Sequence, residues 1–175
     1  LYRLLALEHT KNQSQEIQLT LDIIQKANIE FIADTGDLVS HVFYNDQDVT
    51  STLQAPDIAQ IASKLAQQVE VRRGLLGLQQ KFLKSPGLVA EGRDMGTLIF
   101  PQATLKCYLT ATPEIRALRR QKQLLEINKH VSLDTLINSI NQRDQRDCSR
   151  AEAPLKPADD AIIIDTSEMS LSEVS

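Results

Sequence analysis

Three groups of residues in this 175-residue chain have the types and spacing that chemistry on an anion requires. The first is Glu91-Gly92-Arg93-Asp94-Met95-Gly96-Thr97, directly after the apolar run Leu88-Val89-Ala90. Arginine offers a planar fork to a phosphate, and aspartate accepts hydrogen bonds from an amino group. In open α/β sheets ligands bind beyond the carboxyl ends of strands, which is where this pair falls. The same residues also suit a loop in which Arg93 and Asp94 pair with each other or face solvent. The second group is Arg143-Asp144-Gln145-Arg146-Asp147-Cys148-Ser149-Arg150. On a helix, Arg143 lies one turn from Asp147 and Arg146 one turn from Arg150, so cationic rungs alternate with acids along one region. An anionic ligand fits that pattern, and so does a salt-bridged solvated face. The third group, Arg116, Arg119 and Arg120, reads on spacing alone as solvated helix surface.

The elements that must position these groups follow from periodicity. Leu4, Leu5 and Leu7, then Ile17, Leu21 and Ile24, predict one or two amphipathic helices over the first 27 residues. Ile29 to Ala33 is strand-like. Leu38 to Tyr44 is β-rich and ends at Asn45-Asp46, which with the following residues predicts a small antiparallel hairpin. This β-rich stretch, residues 28–52, is expected to be an insert in an α/β chain. Pro56-Asp57 opens a helix through Leu65, and a second helical segment runs from Val69 to Leu83, stopped by Ser85-Pro86-Gly87. Leu88 to Ala90, Thr104 to Thr110 and Ala161 to Thr166 are expected as buried parallel strands. Thr112-Pro113-Glu114 is a strong helix start, and Ser132 caps a helix from Leu133 to about Arg146. Strands alternating with helices predict an α/β fold with a parallel sheet.

Composition sets the class. Hydrophobic residues make up 42% and charged residues 24%, as in an ordinary globular protein of one domain. Net charge is -4 and the sequence pI about 5.4, which argues against a general nucleic-acid binder. Cys107 and Cys148 with His9, His41 and His130 give no metal-ligand spacing, so no metal site is expected and both thiols read as reduced. Without a membrane span or a signal segment, the expectation is a cytoplasmic protein.

Taken together, Gly87 through Thr97 with Phe100-Pro101, and Arg143-Asp144 through Arg150 leading to Ala153-Pro154-Leu155, resemble bacterial-type cytidylate kinase, a nucleoside monophosphate kinase family. Leu1-Tyr2-Arg3 matches the family's region after its first substrate loop, and order and spacing hold along all 175 residues. The resemblance implies a P-loop kinase-type parallel sheet flanked by helices, with the β-rich insert on the monophosphate-binding side. Residues 112–150 would form the lid region and its flanking helices. It implies phosphoryl transfer from ATP, with Mg²⁺, to CMP or dCMP. Arg3, Arg93 and Arg150 would serve the CMP phosphate, and Tyr2 is expected as a further substrate-binding residue. Arg72 would donate to cytosine N3 and O2, while Asp94 and Ser63 receive the amino proton. Arg143 and Asp147 would contact the sugar hydroxyl. Arg119, Arg120 and Arg146 would reach the transferring phosphates when the lid closes, alongside Arg93 and Arg150. A monomer without nucleic-acid or membrane partners is expected.

The family's phosphate loop, G-x-x-x-x-G-K-[ST], is absent from these residues; Gly74-Leu75-Leu76-Gly77 lacks the Lys and the Ser or Thr. That loop would precede Tyr2, and both chain ends read as cut. The expectation is a fragment carrying the CMP half and the lid, nearly inactive alone and poorly stable. The competing readings are a kinase for another nucleoside monophosphate and a non-catalytic nucleotide-binding fragment.

Overall fold

The computed structural model describes residues 1–12, 16–33, 40–126, 128–150 and 152–174. The chain divides into two compact units, Leu1–Leu88 and Val89–Ser175.

In the first unit the apolar spacing forms a helical core. Helices α1 (Tyr2–Lys11), α2 (Ile17–Lys26), α4 (Pro56–Leu65) and α5 (Val69–Gln80) each turn a stripe inward. Leu4, Leu5, Leu7, Leu21, Ile24, Ile58, Ala62, Leu65, Val71 and Leu75 share one cluster. Each fully buried Leu or Ile contributes about 1.5–3 kcal/mol. Helix α1 packs against α2 and α4, and α2 against α5. At the α2–α5 crossing a Cβ on Gly74 would lie 2.8 Å from Leu21 Cδ1, so glycine permits the close approach. Gln25 Nε2 closes the same crossing by donating to the Gly74 carbonyl at 2.9 Å. Helix α5 ends at Gln80, short of the expected Leu83: Phe82 and Leu83 N–H groups turn back to the carbonyls of Gln79 and Gln80.

Strands β1 (Ile29–Ala33), β2 (Ser40–Tyr44) and β3 (Gln47–Asp48) form an antiparallel sheet in the order β1-β2-β3. Ile29 stands opposite Tyr44, and Phe43 opposite Asp48. The expected hairpin turn is present, with Asn45 at φ 48° and Asp46 at φ 63°. Both are residue types that tolerate the left-handed region a tight hairpin needs. Leu38 and Val39, assigned to a strand from sequence, lie outside the described residues. The short helix α3 (Thr50–Leu53) follows. Tyr44 Oη donates to Glu8 Oε2 at 2.9 Å and Asn12 Nδ2 to Glu8 Oε1 at 2.6 Å, tying β2 to α1. Burial pushes the Tyr44 phenol above its usual range, and the bond to Glu8 and its charge add to the shift.

The second unit holds a parallel pair, β4 (Cys107–Thr110) and β5 (Ile162–Asp165), in the register Cys107 to Ile162 through Thr110 to Asp165. Helices α6 (Pro113–Glu126) and α7 (Leu133–Cys148) pack on each other, and α8 (Leu171–Val174) is short. The predicted caps are in place: Ile115 N–H donates to Thr112 Oγ1 at 3.4 Å and Thr135 N–H to Ser132 Oγ at 3.2 Å. Lys106 Nζ bonds the Pro101 carbonyl and an Asp160 carboxylate oxygen, both at 2.7 Å, anchoring the start of β4. Between the Arg93 loop and β4, Met95–Ile99 forms a π-helical turn, in which Phe100 N–H reaches the Met95 carbonyl at 2.7 Å.

Two expectations require correction. Leu88 to Ala90 is not a strand, and Val89 is fully exposed. The strands β4 and β5 are not buried: Leu109, Ile162 and Ile163 are exposed. Runs apolar on both faces call for cover on both, and among the described residues this sheet has only two strands. The α/β class and the parallel pairing stand. No helix among the described residues is long and apolar enough to cross a membrane.

Candidate functional site

The densest charge cluster of the second unit is built on α7. Asp144 and Asp147 are three residues apart, a spacing that places both carboxylates on one helical face. Asp147 is almost wholly buried, at 1% exposed. Its Oδ2 is ion-paired with Arg93 Nη1 at 2.9 Å and Arg143 Nε at 3.8 Å, without a hydrogen bond among the described residues. Its Oδ1 pairs with Arg150 Nη2, the guanidinium just past the helix end. The Leu155 N–H returns to the Asp147 carbonyl at 2.9 Å, fixing the chain that follows.

Asp144 extends the cluster. Its Oδ1 accepts from Arg93 Nη1 at 3.2 Å and its Oδ2 from Arg116 Nη2 at 2.5 Å. Arg116 is also held by Nε, which donates to the Ala111 carbonyl at 3.0 Å. Burial pushes the Asp144 carboxyl up, but the hydrogen bonds and charges of Arg116 and Arg93 outweigh it and hold the group below the usual carboxylate range. A partly buried carboxylate gains from such partners, since desolvation disfavours its charged form.

Arg93 therefore pairs across to α7, not with its neighbour Asp94. Asp94 is 4% exposed, and its carbonyl receives the N–H groups of Leu98 at 2.9 Å and Ile99 at 3.2 Å, which start the π-helical turn. The four residues Arg93, Arg143, Asp147 and Arg150 are brought together. Arg119, Arg120 and Arg146 are directed elsewhere. Arg119 Nη1 bonds Thr166 Oγ1 at 3.0 Å, and its Nη2 bonds the carbonyls of Thr166 at 2.5 Å and Met169 at 3.1 Å. Arg120 Nη1 reaches Gln123 Oε1 at 3.2 Å, and Arg146 Nε reaches the Gln142 carbonyl of its own helix at 3.1 Å.

The first unit carries the other candidates. Tyr2 and Arg3 open α1, and Arg3 Nη1 donates to the Leu53 carbonyl at 2.6 Å. Ser63 on α4 is 6% exposed, and its Oγ has no hydrogen-bond partner among the described residues. Arg72 on α5 is 3% exposed with Nη1 3.5 Å from the Ala66 carbonyl. A buried hydroxyl without a partner is costly unless a ligand completes it.

Asp144 and Arg116 were not singled out as site residues by sequence reasoning. Both stand inside the motifs it examined. What was missing is the pairing between helices, which spacing along one helix does not encode. Cys107 and Cys148 are unbridged and exposed.

The cytidylate kinase family profile matches residues 1–175. The chain belongs to the cytidylate kinase family. It is 42% identical over 176 residues to a cytidylate kinase of Nitrosomonas europaea, covering 99% of this chain and 76% of the relative. A cytidylate kinase of Shewanella denitrificans is 41% identical over 177 residues, covering 99% of this chain and 78% of the relative. One from Pseudomonas aeruginosa strain LESB58 is 42% identical over 177 residues, at 99% and 77%. Cytidylate kinases are phosphotransferases, and the α/β architecture with its parallel pair is consistent with that family.

Proposed function

We propose that this chain binds CMP or dCMP and serves phosphoryl transfer to it from ATP, giving CDP or dCDP. One observation carries the reading. Four guanidinium groups, Arg93, Arg116, Arg143 and Arg150, gather about the carboxylates Asp144 and Asp147. A cluster of guanidinium groups suits a phosphate monoester, which carries about -1.5 to -2 near neutral pH.

In this reading Arg93 and Arg150 hold the CMP phosphate, with Arg3 beside Tyr2 contributing from α1. Arg143 and Asp147 take the sugar hydroxyl, with Asp147 accepting its proton. A contact to the 3′-hydroxyl rather than the 2′-hydroxyl admits dCMP. Arg72 donates to cytosine N3 and O2, and Asp94 with Ser63 accepts from the amino group. Uracil reverses that donor pattern, leaving buried groups unpaired. Ser63 Oγ, buried and without a hydrogen-bond partner among the described residues, supports its part in the assignment. Arg119, Arg120 and Arg146 act on the transferring phosphates only after a lid movement that releases their present bonds. Phosphoryl transfer depends chiefly on positioning and cationic stabilisation, which arginines supply without covalent chemistry.

Among the described residues no three His, Cys, Asp or Glu side chains converge to hold an ion. Both cluster carboxylates already face arginines. These residues do not form a protein-held Mg²⁺ site, so Mg²⁺ belongs to the reading as part of the Mg·ATP substrate.

The test uses protein expressed from its complete gene, assayed with ATP against CMP, dCMP and UMP. CMP and dCMP should turn over, with UMP disfavoured by about 10²-fold or more in kcat/KM. Arg93→Ala should lose about 10²-fold or more. Equal turnover of CMP and UMP overturns the base reading. CMP binding without turnover favours a nucleotide-binding chain that does not transfer phosphate.

A further inference from the structure

We infer that Asp144 is a positioning residue for the CMP-phosphate site, holding Arg93 with one carboxylate oxygen and Arg116 with the other, and so recruiting Arg116 as a further phosphate-binding cation. The inference rests on the functional reading above and deepens it.

The geometry separates positioning from competition. A carboxylate that merely occupied the phosphate's place would sit across the fork of a guanidinium, engaging two nitrogens of one arginine. Asp144 instead takes a single nitrogen from each of two: Arg93 Nη1 at 3.2 Å and Arg116 Nη2 at 2.5 Å. Arg93 Nη2 and Nε carry no hydrogen bond among the described residues, so one whole edge of that fork remains for a phosphate. Arg116 is pinned at a second point, Nε to the Ala111 carbonyl at 3.0 Å, which leaves Nη1 without a hydrogen bond among the described residues. The two arginines come from separate elements, the loop after Ala90 and helix α6. Asp144 is the group that touches both.

Its framework is a helix. Asp144 sits in the body of α7, one turn before the almost wholly buried Asp147, and the two carboxylates share Arg93 Nη1. Arg116 and Arg93 hold Asp144 below the usual carboxylate range against the opposing effect of burial, so it accepts and never donates at working pH. Asparagine keeps the shape but replaces one acceptor oxygen with an amino group that can only donate. One of the two arginines must then let go.

The experiment compares wild type, Asp144→Asn, Arg116→Ala and the double variant, each expressed from the complete gene, by steady-state kinetics and thermal unfolding. In Asp144→Asn the KM for CMP should rise about tenfold or more, because a small misplacement of a binding group carries a penalty of that size. The KM for ATP should stay within about twofold. The unfolding midpoint should move by no more than about 4 °C, so that the loss is not general destabilisation. The double variant should lose less than the product of the single losses, as coupled groups do. An unchanged or lowered KM for CMP in Asp144→Asn overturns the assignment; a lowered one would mark Asp144 as a competitor for the phosphate. Should Asp144→Asn fail to fold, Arg116→Ala carries the test alone, and an unchanged KM for CMP there overturns it. A wild type that neither binds nor phosphorylates CMP overturns the functional reading, and this assignment with it.

Discussion

Several buried polar atoms lack a hydrogen-bond partner among the described residues, Ser63 Oγ and Asp147 Oδ2 among them, although Asp147 is ion-paired with three arginines. Asp94 is the sharpest test of base recognition. Asp94→Asn should narrow the CMP-to-UMP ratio of kcat/KM by about 10²-fold or more, and an unaltered ratio would show that Asp94 does not read the amino group. Asp48 makes a separate prediction. The Thr50 hydroxyl, then the Thr50 N–H, then His41 lower its pKa to about 2. The folded value lies below the unfolded one of about 3.9, so the stabilisation is present above that value and fades as pH falls towards the folded pKa. Acid titration of unfolding should therefore show a shallower loss between about pH 4 and 2 in Asp48→Asn than in wild type. At this scale the sequence exposed Arg93, Arg143, Asp147 and Arg150 because motif and helix spacing coincide. It did not expose Arg116 and Asp144, because their meeting depends on α6 lying against α7.

Elements with chemical punctuation were legible in advance. Pro56 and Pro113 start α4 and α6, and Ser132 caps α7, each through a local rule that needs no tertiary partner. The left-handed Asn45-Asp46 turn is local in the same sense. Leu88 to Ala90 was misread because a strand exists only where a neighbouring strand pairs with it, and an apolar run does not name that neighbour. Two stability predictions belong here. Ser132→Ala removes the acceptor of the Thr135 N–H and should lower unfolding free energy by about 1 kcal/mol in denaturant titration. Leu75→Ala, at a wholly buried site of α5, should lower it by about 2–5 kcal/mol in the same measurement.

Across the whole molecule the apolar core is unevenly shared. The buried cluster runs from Leu4 to Leu75, all within the first unit. Among the described residues of the second unit, the buried hydrophobic side chains are Ile99, Ala117 and Leu124. Local opening follows the density of buried apolar contacts, so hydrogen exchange should be slower in α1, α2, α4 and α5 than in β4, β5, α6 and α7. Equal protection of α7 and α1 would contradict that ranking. The unit with the thinner core carries the arginine cluster, and a ligand that binds only the folded form stabilises it by mass action.

The bare faces of β4 and β5 have a practical consequence at the bench. Leu109, Ile162 and Ile163 are exposed on the two faces of strands whose outer edges have no further partner among the described residues, the kind of surface on which a second copy can dock strand to strand. These 175 residues, prepared alone, should meet a low solubility ceiling that ammonium sulfate lowers further, because excluded salts strengthen apolar association.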